Sequence, residues 1–62
     1  MKLLEKKVKG RIFTLSKVKG GYLVRFGGKV IYDTRKFPQF ENNFGNAQTI
    51  FYIAIDDFKR WG

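Results

Sequence analysis

The sequence predicts a mainly β protein: one small, curved antiparallel sheet of about four strands, with at most one or two short helical turns. Three observations predict it. Residues 11–34 form three short runs rich in alternating apolar and polar side chains. Glycine pairs, Gly20-Gly21 and Gly27-Gly28, separate those runs and supply tight turns, because glycine accepts positive φ. A further apolar run, "QTIFYIAI" at 48–55, reads as a C-terminal strand added to the meander of three. The 62 residues make a single small domain, 1–62.

The first ten residues, "MKLLEKKVKG", carry two leucines, but charge returns at once. They lack the apolar core of a signal peptide. No run in the chain approaches the roughly 18 apolar residues that span a membrane. "KVKG" occurs at 7–10 and again at 17–20, and marks two strand ends with glycine at a turn or bulge.

In "RIFTLSKV" (11–18), Phe13 and Leu15 point one way, and Ile12, Thr14, Ser16 and Val18 the other. "YLVRF" (22–26) returns after Gly20-Gly21, and "KVIYDT" (29–34) follows Gly27-Gly28. Two-residue turns set a register with Leu15 opposite Phe26, Phe26 opposite Lys29, Val24 opposite Ile31 and Tyr22 opposite Asp33. One face then carries Phe13, Leu15, Tyr22, Val24, Phe26 and Ile31 and forms the core. The other is mixed, and it places Arg25 diagonal to Tyr32.

Residues 35–47 form a long connection with Phe37, Phe40 and Phe44 spaced i, i+3, i+7. Pro38 in a first turn and Gly45 just past a last turn would suit a short helix; an irregular loop fits equally. The 48–55 run is apolar on both faces, as in a strand buried on both sides or placed at a dimer interface. Asp56 suits a helix cap, with about one turn after it.

A net charge of +8 is unevenly spread. Residues 1–36 hold eleven of the thirteen Lys and Arg against Glu5 and Asp33, while residues 37–62 are near neutral. Such asymmetry suits one face for a polyanion and another for structure or self-association. The chain has no His and no Cys. Disulfides and the usual zinc constellations are therefore excluded, and the commonest general base is missing. The lone Ser16 has no base beside it, no phosphate-binding glycine motif is present, and Asp56-Asp57 suits a turn better than a metal. The expectation is a protein that is not an enzyme, with no metal and no cofactor. A cysteine-free chain suits the cytoplasm.

Phosphate contacts need Lys and Arg in number, and base stacking needs exposed aromatic rings. Residues 11–37 interleave both. The expected nucleic-acid-binding residues are Arg11, Lys17, Lys19, Arg25, Lys29, Tyr32, Arg35, Lys36 and Phe37. No helix in the basic half looks long enough to read a major groove. The expected function is a small basic module that binds single-stranded DNA or RNA non-specifically on a sheet face.

"KVIYDTRKF" (29–37) resembles a strand ending in a Tyr/Ile-Asp-x-Arg-x-aromatic pattern in the transcriptional positive cofactor four family of single-stranded-DNA-binding proteins. The run at 50–55 into Asp56, with Phe58 and Trp61 beyond, is similar to that family's last strand and helix start. The resemblance covers residues 11–61. It implies a curved four-stranded antiparallel sheet, then a helix that makes a dimer, with single-stranded DNA crossing a basic concave face. The family's dimer helix is several turns long, and little of one is expected here.

Self-association on residues 48–61 is expected to form a homodimer through Ile50, Tyr52, Ile53, Phe58 and Trp61. The alternative function is a protein-interaction or inhibitor module of the phage or plasmid accessory type. It would dock on a larger enzyme through the 48–55 run and the phenylalanine-rich loop.

Overall fold

The computed structural model describes residues 1–37 and 39–61. Pro38, expected in a first helical turn, lies outside the described residues. Four strands come first: β1 (Lys2–Val8), β2 (Arg11–Val18), β3 (Gly21–Phe26) and β4 (Lys29–Asp33). A short 3-10 turn, Thr34–Lys36, follows, and then helix α1 (Phe44–Trp61). The strands lie in one antiparallel sheet in the order β1-β2-β3-β4.

The meander over residues 11–33 is as expected, and so is a sheet of four strands. The fourth strand is not. It is β1, at the N-terminal end, and the 48–55 run is helical. Period explains the difference. Read at two residues, 48–55 is apolar on both faces. Read at 3.6 residues, Ala47, Phe51, Ala54, Ile55 and Phe58 fall on one stripe, which α1 turns toward the sheet. Asn43 caps the start of the helix, its side chain accepting from the Asn46 N–H at 2.8 Å. Asp56 is consequently a mid-helix residue, paired with Arg60 at 3.1 Å, and not a cap. Gly45 sits in the first turn of α1, not past a last one. With 18 residues, α1 is about 27 Å long, far more than one or two turns.

Two register details matter for the site. The β2–β3 turn is Lys19-Gly20, so that Val18 faces Gly21, Leu15 faces Val24 and Phe13 faces Phe26. This is two residues from the expected pairing and leaves each side chain on its expected face. In the β3–β4 hairpin, Phe26 faces Lys29 as expected, and Gly27 and Gly28 carry φ of 58° and 89°. Beyond them a bulge sets in. Arg25 faces Val30, but Val24 faces Tyr32, and Leu23 faces Asp33. The bulge pushes Ile31 out to the surface and brings Tyr32 in.

The core lies between one sheet face and α1. Val8, Phe13, Leu15, Tyr22 and Val24 meet Ala47, Phe51, Ala54 and Ile55 there, with Leu3, Leu4, Phe26, Tyr32, Ile50 and Phe58 packed around them. Phe13, Phe26 and Phe58 form a ring cluster with centroids 4.9–5.5 Å apart. Each fully buried Phe contributes about 1.5–3 kcal/mol through lost apolar surface. Lys6 and Lys9 of the β1 side reach over the rings of Tyr52 and Phe58 at 6.0 and 5.9 Å, which sets β1 beside that flank of α1. No helix among the described residues is long and apolar enough to cross a membrane.

Candidate nucleic-acid interface

Among the described residues, the face of the sheet away from α1 carries no aromatic side chain. The alternation of β2 and β3 assigns Ile12, Thr14, Ser16, Leu23 and Arg25 to it, with Val30 and Asp33 from β4. Arg25 is half-buried there, and its Nη1 donates to the buried Ser16 hydroxyl at 3.3 Å. The tyrosines and phenylalanines of the strands all face the helix. Tyr32, expected beside Arg25 on this surface, instead packs at the margin of the core, because the bulge reverses its side.

The remaining expected residues fall at the two ends of the sheet. Arg11 and Lys29 are the first residues of β2 and β4 and mark one end. At the other end, the Lys19-Gly20 turn lies against the 3-10 turn. A methyl group in place of the Gly20 hydrogen would stand 3.9 Å from the Arg35 stem. One on Gly21 would stand 2.8 Å from Arg35 Cγ and 2.6 Å from Thr34 Oγ1, so only glycine fits there. With this contact, the end of β2 and the 3-10 turn put Lys17, Lys19, Arg35, Lys36 and Phe37 at one pole of the sheet. Its carboxylate is Asp33. Phe37 is exposed over 53% of its surface.

Sequence reasoning missed how that pole is built. Thr34 is buried; its hydroxyl accepts from the Tyr22 N–H at 2.9 Å and donates to Asn42 Oδ1 at 2.7 Å. Asp33 Oδ1 accepts from the backbone N–H of Arg35 at 3.0 Å, capping the 3-10 turn. The same carboxylate takes Arg35 Nε at 2.9 Å and Nη2 at 2.8 Å. The Arg35 hydrogen bond is the main force that pulls the Asp33 carboxyl from its usual 3.8 down to about 2, against partial burial. The same bond raises Arg35. An Asp-x-Arg spacing at the end of a strand was the signal available in the sequence.

Of the expected interface residues on α1, Phe58 and Ile50 are half-buried against the core. Tyr52, Ile53 and Trp61 face outward, Ile53 at 49% and Trp61 at 81% exposure. Among the described residues, no group of three or more acidic side chains is placed to hold a metal ion.

The chain matches no protein-family model, no curated protein and no solved structure.

Proposed function

We propose that the protein is a small nucleic-acid-binding module that holds the backbone of a single strand without reading its sequence. One observation carries this reading. The packing of the Lys19-Gly20 turn on the 3-10 turn brings Lys19 to the end of the sheet that holds Arg35, Lys36 and the half-exposed Phe37, where β2 also ends just after Lys17, and the Asp33 carboxylate there is already engaged by Arg35. Cations in number supply phosphate affinity, and an exposed ring beside them supplies stacking. Phe37 takes the stacking role that the sequence assigns to Tyr32. Arg25 on the open face, and Arg11 and Lys29 at the far end, extend the track. Arg11 and Lys17 are six strand residues apart, about 20 Å. A stacked strand covers that in about six nucleotides. The order of four strands and then a helix supports the analogy with the positive cofactor four family. The matched run at 50–55 does not, because it is helical here.

Fluorescence anisotropy with oligothymidylates of increasing length, set against a matched duplex, tests the proposal. Affinity is expected to climb up to about six nucleotides and to flatten beyond. Phe37→Ala is expected to lose about 1–3 kcal/mol on single strands and little on the duplex. Equal losses on both, or no binding of either, would contradict it.

A second reading rests on Tyr52, Ile53 and Trp61, which face solvent from α1. They supply a surface for a protein partner or for a second copy of the chain. An association that persists in high salt and involves no oligonucleotide would favour it.

A further inference from the structure

Arg35 is held more tightly than an exposed arginine needs to be. Its guanidinium has five N–H groups in a rigid fork. The Nε–H and one Nη2–H engage the two oxygens of Asp33, side-on. The backbone N–H of Arg35 engages the same carboxylate. The stem lies against Gly20 and Gly21. Asp33 is itself fixed, at the end of β4, with its side chain only 11% exposed. The Arg35 side chain is 47% exposed, and the two N–H groups of Nη1 have no partner among the described residues.

We infer that Asp33 is a positioning residue for phosphate binding: it clamps Arg35 side-on so that the outer edge of the guanidinium is presented to a backbone phosphate. The inference rests on the nucleic-acid reading above. A free arginine loses rotamer freedom when it binds, whereas a clamped one has lost it already in folding. The edge that remains, Nη1 with the second hydrogen of Nη2, matches two phosphate oxygens in one plane. The clamp also favours the folded state, but the Arg35 N–H alone caps the turn; the two side-chain bonds additionally fix which edge of the guanidinium faces outward.

Such a clamp and simple charge counting predict effects of opposite sign. Asp33→Asn removes a negative charge from a polyanion site, which by charge alone tightens binding. Asparagine still accepts the Arg35 N–H as a cap, so the turn is kept. Binding of an oligothymidylate at fixed salt is expected to weaken about three- to tenfold in Asp33→Asn. In an Arg35→Gln background the same change is expected to bring no loss, because the residue being positioned is gone. Arg35→Lys preserves the charge and loses the fork, and is expected to weaken binding by a similar factor. It serves as the readout if thermal melting shows Asp33→Asn to be poorly folded. Binding by Asp33→Asn that equals or exceeds wild type, or an Arg35→Lys variant that binds as wild type does, overturns the inference and leaves the nucleic-acid reading standing. A wild type that binds no oligothymidylate at low salt overturns both.

Discussion

The Asp33 carboxylate works at three hydrogen bonds, all to Arg35. Its folded-state pKa of about 2 lies below the ordinary 3.8, so it favours the folded state when ionised. That contribution is complete above about pH 4 and is lost as pH falls toward about 2. Thermal melts from about pH 5 down to about 2 are expected to show a steeper loss for the wild type than for Asp33→Asn, with the two curves converging at the acid end. Parallel curves would mean that the clamp is not formed in solution. The clamp also shows what a single residue can hide. The sequence displays Asp33, Thr34 and Arg35 as one acid and one base two apart. It does not display that Gly21, earlier in the chain, leaves the space into which Thr34 and Arg35 fit. Tyr32 is the opposite case. Its identity suits a stacking role, but one bulged residue, Ile31, decides its face, and nothing in the local composition marks a bulge.

Helix α1 and strand β1 are the elements that alternation misplaces. The β1 segment "KLLEKKV" has adjacent leucines and a register shift between Lys2 and Leu4, so no clean period of two survives. Its lysines then make it a well-guarded sheet edge. In "QTIFYIAI", β-branched and aromatic residues favour a strand locally, and tertiary packing overrides them. The central hairpins were legible because alternation fixes the faces and glycines mark the turns, although only Gly27-Gly28 forms its turn as a pair and the first turn falls one residue earlier, at Lys19-Gly20. The phase of α1 has a direct test. Phe51 and Ile53 are two apart, on the same side of a strand but about 200° apart on a helix. Phe51 is fully buried, and Ile53 is half exposed. Phe51→Ala is therefore expected to cost about 3–5 kcal/mol in urea denaturation. Ile53→Lys is expected to cost within about 0.5 kcal/mol, and to produce monomers if α1 pairs two copies. Similar large losses at both positions would contradict the helix.

Across the whole molecule, the charge asymmetry in the sequence becomes a spatial one. Eleven of thirteen cations precede residue 37. The meander divides the expected binding residues between its two ends and the open face, while the aromatic strand residues turn inward. Composition announced the cations. Their division between Arg11 and Lys29 at one end and Lys17, Lys19, Arg35 and Lys36 at the other followed only from the register. Several cations have local partners: Lys2 pairs with Glu5, Arg60 with Asp56, and Lys9 donates to the Lys59 carbonyl at 3.2 Å. The four cations of the pole around the 3-10 turn are proposed to anchor the phosphate track, which Arg25, Arg11 and Lys29 extend.

The salt dependence of oligothymidylate binding tests that assignment most directly. Four contacts at the pole, rising to seven if the whole track is engaged, predict a plot of log K against log salt with a slope between about −3 and about −5 on a single strand. Lys36→Ala is expected to reduce that slope by about 0.7. A slope near zero, or a slope unmoved by loss of Lys19 and Lys36 together, would contradict the central claim.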